Sequence, residues 1–268
     1  MERRALGRTG IDVPAVGMGT WLTFDVTSPA DVAARRDVVT AALDAGSNLF
    51  DSSPMYGAAE TVLAGALDRR RDRAVVATKV WSSSAAEGRR QIDRALALYG
   101  GRVDVYQVHN LVAARQWLPV LQGLRRDGKV RVVGVTHYAH SAFGDLARAM
   151  RSGEVEQVQL PYNVEDRAVE RELLPLAADL GLGVLVMRPL GEGSLVRRSP
   201  PAARLAPLRE YGVTTWAQAL LKWILSDPRV HCAIPATTRV QHARDNAAAG
   251  DPPWFDRETR EYVRRLAE

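Results

Sequence analysis

Short apolar runs alternate along the chain with longer stretches of mixed polarity. The runs are Val13–Met18, Asn48–Phe50, Ala74–Thr78, Val103–Val108, Val130–Val135, Val155–Leu160, Gly183–Met187 and Val230–Ile234. Between them, helical spacing of apolar residues predicts helices over Asp31–Ala45, Ala58–Arg70, Ala85–Tyr99, Arg115–Asp127, Ser141–Arg151, Asp166–Leu180, Thr214–Ser226 and Arg239–Ala249. Most runs recur at intervals of roughly 30 residues, the length of a strand-helix unit. Their near-continuous Val, Leu and Ile content fits parallel strands covered on both faces. Eight such units predict an α/β fold, a (β/α)8 barrel. Gly46, Gly128 and Gly181 stand where predicted helices end. Arg3–Ala5 and Ile11–Val13 flank Leu6–Gly10 and predict a small hairpin capping the barrel bottom. No linker or composition break divides the chain, so residues 1–268 read as a single domain. The rival open doubly wound sheet lacks its Gly-x-Gly-x-x-Gly loop, because Gly17-Met18-Gly19-Thr20 is too short.

Composition narrows the class. Hydrophobic residues make up 46% and charged residues 25% of the 268, an ordinary globular balance. The lone Cys232 excludes an internal disulfide and a cysteine-built zinc site. No apolar run has the roughly 18 residues of a membrane helix, and the polar start Met1–Arg8 lacks a signal-peptide core, so the expected location is cytoplasmic. The net charge is +5, but the basic residues are interleaved with acids, which argues against a nucleic-acid surface. The densest run, Arg69–Arg73, is expected to be a solvated helix end. Only three of the 36 basic residues are lysines: Lys79, Lys129 and Lys222. A lysine kept in so arginine-rich a chain marks a place needing a compact ammonium.

In a parallel barrel the active site lies at the C-terminal strand ends. There the runs deliver Asp51 with Tyr56, then Lys79, then His109. Further round come Thr136 and His137, then Gln159, Tyr162 and Asn163, then Arg188 and Pro189, then Thr237, Thr238 and Arg239. A phenol is a poor acid near neutral pH, and an adjacent ammonium lowers its pKa. A carboxylate fixes the ammonium, and a histidine orients a carbonyl oxygen. The set forms a proton donor aimed at a developing alkoxide. A metal site built from His109, His137 and His140 is the weaker reading of the same histidines. Trp117, Trp216 and Trp223 fall in predicted helices and read as core rather than as a base-stacking platform.

Asn48-Leu49-Phe50-Asp51-Ser52-Ser53-Pro54-Met55-Tyr56-Gly57 resembles the signature of the aldo-keto reductases. Ala77-Thr78-Lys79 and Val105-Tyr106-Gln107-Val108-His109-Asn110 resemble two further strands of that family, and the likeness runs from about Leu6 to Asn246. The resemblance implies that Tyr56 is the general acid, that Lys79 and Asp51 depress its pKa, and that His109 orients the carbonyl. It implies a nicotinamide cofactor, NADPH ahead of NADH, extended across the mouth. Gly19, Thr20 and Trp21 match the family's first loop, with Trp21 either a pocket wall or lid packing. Thr136, His137 and Gln159 match the segments around the carboxamide. Met187, Arg188, Pro189, Leu190, Gly191 and Gly193 match the strand end and loop over the ring and pyrophosphate. Thr237, Thr238, Arg239, His242, Asp245 and Asn246 match the 2′-phosphate and adenine segment.

The sequence departs from the pattern in three places. Met187-Arg188 stands where many members stack an aromatic on the nicotinamide, His137 replaces the usual amide partner, and Ala236 replaces a phosphate-binding lysine. The implied partner is a small carbonyl substrate lined by Trp21, Tyr56 and His109, with no membrane or nucleic acid and a monomer as the default. The short Asn110–Arg115 loop and the short tail after Asn246 predict an open pocket. Two alternatives stand beside the reductase: a nicotinamide sensor with negligible turnover, and a barrel lyase, isomerase or metal hydrolase.

Overall fold

The structure, a computed structural model, describes residues 1–268. A two-stranded antiparallel hairpin, β1 (Arg3–Ala5) and β2 (Asp12–Pro14), precedes an eight-stranded parallel sheet. Its strands are β3 (Met18–Gly19), β4 (Leu49–Asp51), β5 (Val75–Val80), β6 (Val103–His109), β7 (Val130–Thr136), β8 (Gln157–Pro161), β9 (Gly183–Met187) and β10 (Cys232–Ala233). They pair in sequence order, and the bridges Val16 to Ala233 and Gly19 to Ala236 join the first edge to the last. The result is the expected (β/α)8 barrel with its N-terminal hairpin.

The first apolar run is not one strand. Pro14 ends the hairpin, the chain turns, and only Met18–Gly19 joins the barrel. Gly17 makes the corner feasible, because a Cβ there would lie 2.8 Å from the Leu49 carbonyl oxygen. Helices α1 (Pro29–Asp44), α2 (Ala59–Leu67), α3 (Ala85–Leu98), α4 (Ala114–Arg126) and α5 (Phe143–Arg151) follow β3 to β7 in turn. Ser28 caps α1 through the Asp31 N–H, and Pro29 occupies the first turn, where its missing donor is harmless. The predicted helix Asp166–Leu180 forms only over α6 (Leu173–Leu180). Pro175 falls in the first turn of α6, where its missing N–H costs no helical hydrogen bond. The long segment after β9 holds the short α7 (Ser194–Arg197) and a 3₁₀ stretch, Ala202–Tyr211. Then come α8 (Trp216–Leu225), opened by a Thr215–Gln218 capping box, and α9 (Val240–Ala248). A final helix not anticipated from the pattern, α10 (Arg257–Ala267), is capped by Asp256 and packs on α8.

Strand parity divides the apolar residues. Leu49, Val75, Ala77, Val105, Val132, Leu185 and Cys232 point inward and cluster with Leu6, Ile11 and Val13 of the hairpin, which plugs the barrel floor. Alternate residues such as Val76, Tyr106, Val133 and Val158 join the larger core beneath the helices. Arg69–Arg73 continues from the end of α2 with no residue buried and with Arg69 and Arg73 exposed, the solvated helix end expected, although Arg71 is engaged. It forms a 3₁₀ turn, Asp68–Arg73. There Arg71 bonds the Tyr99, Ala74 and Arg102 carbonyls and pairs with buried Asp104 at 2.9 Å. No helix is long and apolar enough to cross a membrane.

Helices α3 and α4 touch where Gly88 meets Trp117, whose indole also donates to the Ser82 carbonyl at 2.7 Å. A Cβ at Gly88 would stand 2.0 Å from the indole ring. Gly88→Ala is therefore expected to lower stability by about 1–3 kcal/mol through overpacking. Thermal unfolding measures this, and an unchanged Tm would mean that the two helices separate freely.

Candidate active site

The inward parity that builds the floor also builds the mouth. Two residues above Leu49 stands Asp51, two above Ala77 stands Lys79, and two above Val105 and Val132 stand Gln107 and Gly134. Lys79 is fully buried. Its Nζ donates to Asp51 Oδ2 at 2.7 Å and to the Ser52 carbonyl at 2.7 Å. Burial disfavours the ammonium, but the Asp51 charge and hydrogen bond outweigh it, and the pKa rises. Asp51 Oδ1 in turn accepts from Gln159 Nε2 at 2.8 Å and Gln107 Nε2 at 3.2 Å. Every carboxylate oxygen is thus paired, as a buried charge requires.

Tyr56 sits over this pair, with Lys79 Nζ 5.1 Å from its ring centroid. The pKa effect expected of Lys79 and Asp51 is corrected here. Burial raises the phenol above its ordinary value of 10, Lys79 pulls it down, and Asp51 pushes it up again, for a net rise. His109 lies edge-on to Tyr56, with ring centroids 5.7 Å apart. Its Nδ1 is 2.8 Å from Ser53 Oγ. Burial, helped by the Lys79 charge, pushes the imidazole pKa down to about 2, so the ring is neutral at working pH. Trp21, 6.5 Å from Tyr56 between centroids, is more than one-third exposed.

The other predicted residues gather on the same end of the barrel. Gly19 closes the sheet against Ala236, and Thr20 Oγ1 lies 3.0 Å from both the Asp51 carbonyl and Ser52 Oγ. Thr136 and Gln159 are adjacent across β7 and β8. His137 Nδ1 accepts the Ala139 N–H at 3.0 Å and its ring stacks on Tyr138. Met187 ends β9, half-buried beside the inner cluster. Arg188 has a positive φ of 53°, pairs with Glu192 at 2.8 Å and lies over Tyr138. Pro189, Leu190, Gly191 and Gly193 form the following turn, with φ of 55° at Gly191 and 87° at Gly193. Thr237 and Thr238 lead to Arg239, which caps α9; His242, Asp245 and Asn246 ride on that helix. Arg239 and His242 are exposed, Asn246 is buried, and Asp245 accepts from Gln241. Asn163 holds the adjoining loop, donating to the Arg188 carbonyl and accepting from Glu165 and Asp166.

Ser53 and Gln107 are the members that the sequence did not single out. Gln107 was legible in principle, two residues before His109 and therefore on the same strand face. Ser53 had no such signal, because its side chain acts through a turn. The loop after β6 is as short as expected, and it is tight: Asn110, Leu111 and Ala113 all have positive φ. Trp21, Leu22, Met55, Trp81 and Tyr138 are exposed around this same end, giving an apolar, open rim.

A buried ion pair beneath a phenol and a neutral imidazole, at the mouth of a parallel barrel, is the arrangement that the aldo-keto reductase resemblance implies, and comparisons with known proteins define the class. Residues 15–268 match the Aldo/keto reductase family. The methylglyoxal reductase YeaE of Escherichia coli is 28% identical over 262 residues, covering 92% of this chain and 89% of that protein. The L-galactose dehydrogenase of Arabidopsis thaliana is 32% identical over 224 residues, covering 75% and 69%. A crystal structure of an aldo/keto reductase from Klebsiella pneumoniae, in complex with NADP and acetate, superposes with a TM-score of 0.83. It is 25% identical and covers 99% of this chain and 95% of its own. The chain belongs to the aldo/keto reductase family and is an NAD(P)H-dependent oxidoreductase.

The depressed His109 pKa has a consequence for stability. Above pH 6.5 both folded and unfolded states hold a neutral ring, and the contribution is full. As pH falls below 6.5 the unfolded chain takes up a proton that the folded one refuses, so stability drops until about pH 2. His231, pushed down to about 4 by burial and Arg4, acts alike over the upper part of that range. Between pH 6.5 and 5 each histidine is expected to cost about 2 kcal/mol. Denaturant unfolding of wild type and His109→Gln at both pH values measures it. The variant should lose less than the wild type by about the His109 share, since His231 and His137, both also lowered by burial, still contribute; equal losses would mean that the imidazole is not held neutral.

Proposed function

We propose that residues 1–268 act as one catalytic unit that reduces an aldehyde or ketone to the alcohol, with Tyr56 as general acid. The observation that carries this reading is the fully buried Lys79 ammonium, held by Asp51 beneath the Tyr56 ring. A phenol above its ordinary pKa is protonated at working pH, and an alkoxide is a far stronger base, so proton transfer from Tyr56 is downhill. Lys79 opposes the rise that burial imposes and stabilises the tyrosinate left behind. His109, neutral and beside Tyr56, donates a hydrogen bond to the carbonyl oxygen. The Gln159 and Gln107 amides keep Asp51 charged and aimed at Lys79.

NADPH is the proposed cofactor, with NADH as the alternative; one E. coli relative is named an NADH-specific methylglyoxal reductase. When bound, the nicotinamide supplies the hydride. The residues fit an anionic dinucleotide. Exposed Thr238, Arg239 and His242 surround the start of α9, whose first-turn N–H groups lack helical acceptors. Thr136 and Gln159 offer amide partners inside the mouth. Arg239 takes the place of the lysine missing at Ala236. Arg188, already engaged with Glu192 and Tyr138, orders the turn over the cofactor. The open rim of Trp21, Leu22, Met55 and Trp81 fits several small carbonyls, in line with relatives named for methylglyoxal and L-galactose.

Tyr56→Phe is expected to lower kcat/KM for methylglyoxal or 4-nitrobenzaldehyde by about 10²–10⁴-fold, while NADPH binding by fluorescence quenching stays within about threefold. Near-wild-type turnover would remove Tyr56 as the acid. Arg239→Ala is expected to weaken NADPH about 10- to 100-fold and leave NADH nearly unchanged. Equal loss for both cofactors would place the 2′-phosphate elsewhere.

A further inference from the structure

We infer that Ser53 is a positioning residue that fixes His109 in the tautomer carrying its proton on Nε2. Only that form lets a neutral imidazole donate to a substrate oxygen while Nδ1 faces Ser53. The inference rests on the carbonyl-orienting role proposed for His109.

Ser53 is wholly buried, in the turn between β4 and Tyr56. Its Oγ has two partners: the Met55 N–H, which donates to it at 3.2 Å, and His109 Nδ1 at 2.8 Å. A hydroxyl has one proton and two lone pairs. The Met55 N–H is a donor with no lone pair to offer, so of these two partners only Nδ1 can accept the Ser53 proton. Were Nδ1 protonated instead, it would donate to Oγ, and the Ser53 proton would be buried without an acceptor. That arrangement costs about 1–3 kcal/mol, enough to leave the other tautomer dominant. The relay therefore runs Met55 N–H to Ser53 Oγ, then Ser53 O–H to His109 Nδ1, leaving Nε2–H as the free donor. A ring whose pKa has fallen to about 2 does not escape the choice by becoming an imidazolium with a proton on each nitrogen.

The same residue sets the phenol. The Ser53 carbonyl accepts the Tyr56 N–H at 3.0 Å, so one turn holds the backbone of Tyr56 and the ring of His109. Two donors that must meet on one oxygen are thereby referred to a common residue. Replacing the side chain of Ser53 leaves its carbonyl, so the two effects separate experimentally.

Long-range ¹H–¹⁵N correlation on histidine-labelled protein reads the tautomer directly, with the His109 signals assigned by their loss in His109→Gln. The wild type is expected to show an unprotonated Nδ1 and a protonated Nε2. Ser53→Ala should populate the Nδ1–H form and lower kcat/KM for the carbonyl about 10- to 100-fold, with NADPH affinity unchanged. Ser53→Thr should restore the wild-type tautomer. A protonated Nδ1 in the wild type would overturn the inference, as would an unchanged tautomer in Ser53→Ala. A changed tautomer with unchanged kcat/KM would overturn the positioning role. Failure of the reductase reading appears separately, as no NADPH-dependent reduction of either carbonyl by the wild type.

Discussion

The mouth of this barrel is organised around one ammonium with no access to water. An unpaired Lys79 at zero exposure would simply lose its proton, because desolvation of a lone charge costs several kcal/mol. It stays charged because Asp51 and the Ser52 carbonyl each meet it at 2.7 Å. Asp51 is in turn affordable only because Gln159 and Gln107 cover its second oxygen. The demand thus propagates across β4, β5, β6 and β8, and it accounts for the Gln107 and Gln159 amides beside the apolar lumen, though not for Gln157, whose amide has no partner. An arginine would not substitute. Its planar fork needs acceptors spread over a wider arc than one carboxylate oxygen and one carbonyl provide.

The arginine-rich composition makes this visible twice. Of the three lysines, Lys79 and Lys222 are both buried. Lys222 donates to the Asp251 and Pro253 carbonyls and lies over Trp254, tying α8 to the loop before α10. Burial lowers its pKa to about 8, with Asp251 and Glu2 pulling the other way. Unlike Lys79 it has no carboxylate at hydrogen-bond distance, so burial prevails. One residue type, buried in both places, therefore ends with opposite shifts, and the partners decide it: Asp51 first and then Tyr56 at Lys79, against carbonyls at Lys222.

The strand order and the residues at strand ends were legible because parallel strands in a barrel are short apolar runs, and whatever follows each run must sit at the mouth. Asp51, Lys79 and His109 follow from that rule alone. Tyr56 follows less directly, because the four residues Ser52–Met55 separate it from its strand; the chemistry of a phenol beside Lys79 suggested it and the family signature assigned its role. The direction of the Tyr56 shift was not legible either. It depends on how much burial opposes Lys79, a matter of packing that no spacing records. Arg71 shows the same limit: within a solvated basic run, only the fold brings Asp104 and three carbonyls to it. The terminal helix α10 escaped notice because little of it is fully buried, Tyr262 and Leu266 being only half-buried against the core. Only Val263 and Ala267 are buried.

The two halves of the mouth differ in how firmly their polar groups are engaged. On the β3–β6 side the carboxylate and ammonium are bonded to each other, the ammonium also to the backbone, and the imidazole to the Ser53 hydroxyl, and nothing there needs to move. On the β7–β10 side Arg188 is bonded to Glu192, His137 to the Ala139 N–H and Asp245 to Gln241, all within their own loops or helix. Gln159 belongs to both halves. One of its two N–H groups holds Asp51, and its oxygen has only the long 3.5 Å contact with Thr136. One N–H and one acceptor thus remain to meet an amide across the mouth, which is the complement a carboxamide presents. Gln159 can therefore serve the proposed cofactor without releasing Asp51. The ion pair beneath Tyr56 then need not reorganise between the free and the loaded protein, and the electrostatic setting of the proposed proton donor is built before substrate arrives.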